Sequence, residues 1–179
     1  MKKNKKLIFH GLCFLLLTFV LCSLQSVIWF QLFGNFTAPF FSFILFVYFG
    51  LDKDSWKSLI YCYSIVYFYS LFTFTSLGML YFSSMITFIF LFIVKNRVYW
   101  PGSAYFTIMT ASSLFLFHLT YILTSLTFET RLTPLLIGNR LVQIILTAGV
   151  SYFLYNIIKK IDNTFNVETM GEIHGENHG

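Results

Sequence analysis

Charged side chains are scarce in this sequence, and their scarcity excludes most soluble folds. Only 11% of the 179 residues are charged, whereas 57% are hydrophobic. A typical soluble domain carries about 25% charged residues. The chain therefore has too little polar surface for a soluble globular domain, and its composition is typical of an integral membrane protein.

Cysteines and signature motifs of catalysis are just as sparse. Cys13, Cys22 and Cys62 lie in apolar stretches and form neither a C-x-x-C pair nor a zinc spacing, so we interpret them as small packing residues. The sequence contains no H-E-x-x-H, no paired intramembrane aspartates and no glycine-rich phosphate loop. It therefore predicts no cofactor, no metal site and no enzyme activity.

The few basic residues are arranged asymmetrically around six apolar stretches. Arg131 and Arg140 border the fifth gap, and the other ten of the twelve fall at the N-terminus, in the second and fourth gaps, and after the sixth stretch. These ten are Lys2, Lys3, Lys5, Lys6, Lys53, Lys57, Lys95, Arg97, Lys159 and Lys160. Cytoplasmic loops hold the excess of Lys and Arg, so both termini are predicted inside. The N-terminal lysines favour anionic lipids as partners rather than nucleic acid.

The predicted fold is an all-α integral membrane protein with six transmembrane helices, N-in and C-in. Six spans of about 20 residues fit this length with short loops. The first stretch is too long for the core of a cleaved signal peptide, so it is predicted to remain as a span. The spans are 7–30, 38–51, 58–74, 77–94, 104–128 and 135–158, in a membrane domain 1–162 followed by a disordered tail 163–179.

Acidic residues are missing from all six predicted spans. Asp52, Asp54 and Glu129 fall in loops, and the remaining acids lie near or in the tail. Ion-coupled carriers usually place a carboxylate inside the membrane to bind the coupling ion. Its absence from the spans argues against a coupled transporter.

His118 is the ionisable side chain nearest the middle of a span. Thr107, Ala111 and Ser125 share its helical face, which would let a second helix approach closely. The simpler interpretation is a neutral histidine that bridges two helices. The alternative is a proton relay or a base for a serine, although no G-x-S-x-G sequence supports it.

Two further polar groups have open interpretations. Arg140 lies one or two turns inside the sixth span if that span begins early, with Glu129 as its nearest candidate partner. The tail carries Glu172, His174, Glu176 and His178. They bind metal only if the tail is helical, which its glycines oppose, so a solvated tail is the simpler interpretation.

Three segments resemble the MreD family of the bacterial rod-shape (elongation) system. Pro39 opens an apolar span with Tyr48 nine residues later, the stretch Ser70–Gly78 closes on Leu-Gly, and Gly149–Ile158 is followed by a basic stop. The size, span number and orientation are also similar. The chain departs from the family at Ser70, where the family often has aspartate, and at Ala148, where it has asparagine unless Asn139 is the aligned residue.

The resemblance implies a non-enzymatic scaffold in the bacterial cytoplasmic (inner) membrane. The implied partners are an MreC-like bitopic membrane protein, an MreB-like cytoskeletal protein and the peptidoglycan synthase complex. Candidate helix-packing or partner contacts are Pro39, Tyr48, Ser70, Gly78, Ser83, Thr87, His118, Thr147 and Ser151. Candidate cytoplasmic contacts are Asp52, Lys53, Asp54, Lys57, Lys95 and Arg97.

Two alternatives stay open. A substrate-binding (S) subunit of an energy-coupling-factor vitamin transporter has the same size and span number. An external cavity of several hundred cubic ångströms with convergent polar groups would favour it, whereas the short first external loop, 32–38, is a poor lid. An intramembrane hydrolase built on His118 would need a serine within about 3 Å of its ring.

Overall fold

The computed structural model describes residues 2–52, 55–73, 75–97, 102–128 and 137–164, with side chains for all of these except 2–10, 52, 55 and 56. The elements are α1 (Lys2–Ser23), a π-helical segment (Leu24–Ile28), α2 (Trp29–Phe33), α3 (Phe41–Asp52), α4 (Ser55–Leu71), α5 (Leu77–Arg97), α6 (Ser103–Phe128) and α7 (Ile137–Thr164). No strand occurs in these ranges, so the all-α prediction is confirmed.

The first three elements form one continuous helix. A π-helical segment joins α1 to α2, and the Ser26 hydroxyl there donates to the Cys22 carbonyl over 2.7 Å. The helix ends at Gly34, whose φ of 59° is open to glycine at no steric cost. The Gly34 N–H donates to the carbonyl of Phe30. The helix thus continues three residues past the predicted end of the first span.

Four helices are long enough and apolar enough to cross a membrane. They are Gly11–Phe33, Leu77–Arg97, Ser103–Phe128 and Ile137–Thr164. Their length and composition support the predicted membrane protein. The remaining two, α3 and α4, are shorter, with 12 and 17 residues, and the count of six spans stays a prediction.

The short helix α3 is the centre of the bundle. It contacts α1, α4, α5, α6 and α7, and these neighbours follow one another around it. Every residue from Phe40 to Leu51 is buried. A Cβ added to Gly50 would lie 2.8 Å from Cδ1 of Leu91, so α3 and α5 approach closely where the glycine leaves room.

Aromatic side chains of α3 fill the space between it and its neighbours. Phe49 meets Phe14 of α1 edge-on at 4.9 Å between ring centroids and stacks on Tyr61 of α4 at 4.5 Å. Phe43 packs against Phe117 of α6 at 5.4 Å. Such pairs contribute about 0.5–1.5 kcal/mol beyond area burial. Aromatic contacts thus fix α3 within the bundle.

The start of α3 differs from the sequence prediction. The second span was predicted to begin at residue 38, but the helix begins at Phe41 and the chain before it is non-helical. At 1.5 Å per residue, 12 residues span about 18 Å, well short of a hydrocarbon core of about 30 Å. Pro39 explains the late start, because it donates no backbone hydrogen bond and favours an extended residue before it. Backbone groups in this segment need partners from elsewhere.

Other helix boundaries also differ from the predicted spans. The Ser58 hydroxyl donates to the Phe49 carbonyl, joining α4 to α3, and α4 begins three residues before the predicted span. At its other end α4 stops at Leu71 rather than residue 74. The last helix continues to Thr164, so the first two residues of the predicted tail are helical. The rest of that tail, with its histidines, lies outside the described residues.

Candidate functional site

The start of α3 is held by side chains of α7. Asn139, Gln143, Thr147 and Ser151 recur every four residues and so share one face of that helix. The Gln143 amide donates from Nε2 to the carbonyl of Ala38 over 3.0 Å, and Thr147 Oγ1 accepts from the Phe40 N–H over 2.8 Å. These bonds satisfy the non-helical backbone that precedes α3. The predicted contacts Pro39 and Thr147 therefore lie together.

The other end of α3 is closed by a buried tyrosine–aspartate pair. The Tyr48 hydroxyl donates to Asp162 Oδ2 over 2.8 Å, and the two residues are 2% and 0% exposed. A hydrogen bond to a carboxylate is stronger than one between neutral groups. Asp162 was missed as a core residue because it stands at the start of a polar stretch. Its spacing was a usable signal, since Thr147, Ser151, Ile158 and Asp162 follow a helical period and are the buried residues of α7.

A cavity of about 270 Å³ lies beside the start of α3. Phe40, Phe117 and Tyr121 line its aromatic walls. Polar side chains from four parts of the chain converge on it: Thr37, Tyr69, Thr75, His118, Asn139, Arg140 and Gln143. The predicted topology places this end on the external side of the membrane. Of the predicted site residues, the cavity includes His118 alone.

The His118 ring bridges α6 and α7 through Arg140. Nδ1 of His118 lies 3.2 Å from Nη1 of Arg140. An arginine nitrogen only donates, so Nδ1 accepts, and the proton of the neutral imidazole is on Nε2. That Nε2 atom is buried and has no hydrogen-bond partner among the described residues. The helix-bridging interpretation of His118 therefore fits the geometry.

Arg140 is held by neutral groups in the described part of the chain. Its guanidinium carbon lies 5.4 Å from the centroid of the Tyr121 ring, a cation–π arrangement. The His118 ring occupies one of its five N–H donors. The predicted partner Glu129 lies outside the described residues. The arrangement presents several N–H donors and a positive charge to the cavity.

Other predicted packing residues lie inside the bundle. Ser83, Thr87 and Ser151 are fully buried. The Thr87 hydroxyl donates to the Ser83 carbonyl over 2.8 Å, and the Ser151 hydroxyl donates to the Ala148 carbonyl and lies 3.5 Å from Thr107 Oγ1 of α6. Small hydroxyl residues at these positions allow close helix approach. In this chain they serve packing within the bundle rather than an exposed partner face.

Ser70 and Gly78, which bound the Leu-Gly stretch, lie away from these contacts, whereas Thr75 within the stretch lines the cavity. The Ser70 hydroxyl donates to the Tyr67 carbonyl over 2.6 Å at the last turn of α4. Gly78 is exposed near the start of α5. Neither residue contributes to the cavity or to the Tyr48–Asp162 pair.

The candidate cytoplasmic contacts divide by burial. Lys57 on α4 and Arg97 at the end of α5 are exposed, whereas Lys95 is 8% exposed. Lys95 lies in the last turn of α5 rather than in a loop, and its burial removes it from the contact surface. Asp52 ends α3. Lys53 and Asp54, like the Asp52 side chain, lie outside the described positions.

The hydrolase alternative requires a serine beside His118. One ring nitrogen contacts Arg140 and the other is unpartnered within the described ranges. No serine of those ranges therefore lies at hydrogen-bond distance from the ring, so the stated requirement is not met there.

The described structure is all-α, and four of its helices have the length and composition of membrane-spanning helices. The chain matches no family model, no curated protein and no solved structure. Function is therefore argued from the residues themselves.

Proposed function

We propose that this protein is a membrane scaffold of a bacterial rod-shape system, organising peptidoglycan synthesis with MreC-like and MreB-like partners. It would sit in the cytoplasmic membrane with six spans and both termini inside. The proposal rests on the resemblance to the MreD family in three segments. The asymmetric distribution of basic residues supports the orientation.

One structural observation carries the proposal furthest: two of the three resembling segments pack against each other. The proline-initiated span supplies Pro39, Phe40 and Tyr48, and the last span with its basic stop lies on α7. The Phe40 N–H bonds to Thr147 at one end, and Tyr48 bonds to Asp162 at the other. Thr147 and Asp162 lie two residues outside the resembling segment 149–160, and within that segment Tyr155 contacts Tyr48 at 6.4 Å between ring centroids. The helices that carry the two resembling segments are thus fixed against each other at both ends of α3.

The outer surface is suited to contact with other membrane helices. Large apolar side chains on α1 and α7 are exposed, including Leu16, Phe19, Ile145 and Phe153. Lipid covers such faces by default, and another span can replace it where the shapes fit. On the predicted cytoplasmic side, the charged residues Lys57 and Arg97 are exposed, as a contact with a cytoskeletal partner would require.

Gene deletion with complementation tests the scaffold proposal. Loss of the protein is expected to widen or round the cells of a rod-shaped host, and the wild-type gene on a plasmid should restore cell width. A tagged protein purified in mild detergent should recover an MreC-like partner. Unchanged cell width, or recovery of no elongation component, would falsify the proposal.

The cavity favours a second candidate, the substrate-binding subunit of a vitamin transporter. The polar side chains of the cavity converge on the predicted external side, as that function requires. The cavity volume of about 270 Å³ is just below the range of about 300–1,000 Å³ of most ligand sites. Mass spectrometry of the purified protein distinguishes the two. A stoichiometric vitamin and co-purified ATPase subunits would support the transporter, and their absence beside an MreC-like partner would support the scaffold.

A further inference from the structure

We infer that the cavity beside the start of α3 binds the anionic oxygens of a small ligand, with Arg140 and His118 as donors. The ligand class is a carboxylate or phosphate attached to a compact apolar or aromatic body, either a soluble molecule or the headgroup of an anionic lipid. The inference goes beyond the scaffold proposal and does not depend on it.

The first argument is the charge of Arg140. Its guanidinium carbon lies 5.4 Å from the centroid of the Tyr121 ring, its side chain lines the cavity, and no carboxylate of the described residues pairs with it. Charged side chains within membrane bundles usually pair with an opposite charge or line a polar cavity. A guanidinium presents a planar fork that matches carboxylate and phosphate oxygens. A cation with no acidic partner among the described residues thus favours an anionic ligand.

The second argument is the unpartnered donor of His118. The side chain is 7% exposed and lines the cavity, and its Nδ1 is occupied by Arg140. The remaining Nε2–H makes no hydrogen bond of standard geometry in the described parts of the chain, and the Gln143 side chain also interacts with the ring. Six buried side-chain polar atoms of the described residues lack a partner, and His118 Nε2 is the one whose residue lines the cavity. A ligand oxygen in the cavity would accept from this N–H and from Arg140 together.

The lining sets the size and character of the ligand. A volume of about 270 Å³ admits a small molecule or a headgroup. Phe40, Phe117 and Tyr121 offer ring faces to an apolar body. Asn139 adds an amide at the rim, where α7 is exposed. The cavity therefore fits an anion with an attached apolar group better than a bare inorganic ion.

The test uses the full-length protein purified in an uncharged detergent. Phenyl phosphate and phenylacetate serve as soluble probes, and the headgroup arm compares nanodiscs of pure phosphatidylcholine with nanodiscs containing phosphatidylglycerol. The measured quantities are the melting temperature and the probe affinity. At least one arm is expected to stabilise the wild type saturably. A response to soluble probes indicates a soluble ligand, and a response only to phosphatidylglycerol indicates a lipid headgroup.

The variants assign the response to the cavity. Arg140→Gln is expected to weaken binding by at least about tenfold, because it removes the charged fork. Arg140→Lys keeps the positive charge but lacks the planar fork of the guanidinium, so its affinity for the probe should lie between those of the wild type and Arg140→Gln. Arg97→Gln, at an exposed arginine of α5, is the matched control and should bind like the wild type.

A measurement on the wild type covers the case in which Arg140→Gln fails to fold. With ¹⁵N-labelled histidine, the His118 ring, assigned by loss of its signal in His118→Gln, should show an unprotonated Nδ1 and a protonated Nε2. Addition of the effective probe should shift the Nε2 resonance. An unchanged His118 spectrum at a saturating probe concentration would overturn the inference.

Three further results would overturn it. One is the absence of any response in both the soluble and the lipid arms. Another is an equal response from Arg140→Gln and Arg97→Gln. The third is a silent wild type beside a responsive Glu129→Gln variant, which would show that Glu129 neutralises Arg140 within the protein.

Discussion

Both ends of α3 are fixed by side chains of α7, but the polar groups around the two ends differ. At the Asp52 end, the Tyr48 hydroxyl and the Asp162 carboxylate form a buried donor–acceptor pair. At the Phe41 end, the Phe40 N–H is satisfied by Thr147, but a cavity remains beside it with a cation and with a donor, His118 Nε2–H, that has no hydrogen-bond partner among the described residues. The Asp52 end, called the closed end, has a matched hydrogen-bonding pair. The Phe41 end, called the open end, lies beside a cavity lined by the N–H donors of Arg140 and His118.

The two ends of α3 thus show two kinds of buried polar group: those that pair within the fold, and those that line a cavity where a ligand could bind. In hydrocarbon surroundings a polar group needs a partner, so matched pairs report on the stability of the fold. Polar groups that keep unused hydrogen-bond donors in a cavity indicate a ligand that would accept those hydrogen bonds. Substitutions at the closed end should therefore change stability alone, and those at the open end should change ligand response.

The largest effect on stability is expected from Tyr48→Phe. This change keeps the ring and leaves the buried Asp162 carboxylate without its hydroxyl donor, which costs about 1.5–3 kcal/mol for a hydrogen bond to a charged group. Unfolding in mixed micelles with increasing denaturing detergent measures the loss. Tyr152→Phe is the control, because Tyr152 is an exposed tyrosine of α7. Equal losses in the two variants would contradict a structural role for the pair.

Thr147→Val is expected to have the next largest effect. Valine keeps the shape but leaves the Phe40 N–H without its acceptor, at a cost of about 1 kcal/mol, given the modest average strength of side-chain hydrogen bonds in membrane bundles. Thr127→Val is the control, since the Thr127 hydroxyl is exposed and bonds to carbonyls of its own helix. The same denaturation assay applies. An undiminished free energy of unfolding in Thr147→Val would show that the α3 start does not need α7.

The sequence predicted the all-α class, the apolar stretches and several of the buried hydroxyl residues, because hydropathy and helical spacing are local signals. It did not predict where α3 begins, since that depends on Thr147 and Gln143 taking over the hydrogen bonds of a segment more than 100 residues away. The burial of Asp162 was not predicted for the same reason, because its partner Tyr48 is 114 residues away in the sequence. The cavity was also out of reach, although the polar spacing of α7 was visible in the sequence.

Arg140→Met is expected to have the smallest effect on stability, with the opposite sign. Replacing a charge that has no described acidic partner by an apolar side chain of similar length should leave the free energy of unfolding unchanged or raise it by up to about 1 kcal/mol. The assay is again detergent denaturation, without any anionic probe. Arg97→Met, at an exposed position, is the control. A loss of more than about 2 kcal/mol specific to Arg140→Met would show that the arginine is paired within the fold.

One experiment tests the contrast between the two ends most directly. Free energies of unfolding are measured for the wild type, Tyr48→Phe and Arg140→Gln, each with and without the anionic probe that binds best. Binding to the folded state adds RT ln(1 + [L]/Kd). The account predicts the same increment for the wild type and Tyr48→Phe and almost none for Arg140→Gln. Loss of the increment in Tyr48→Phe, or its full retention in Arg140→Gln, would contradict it.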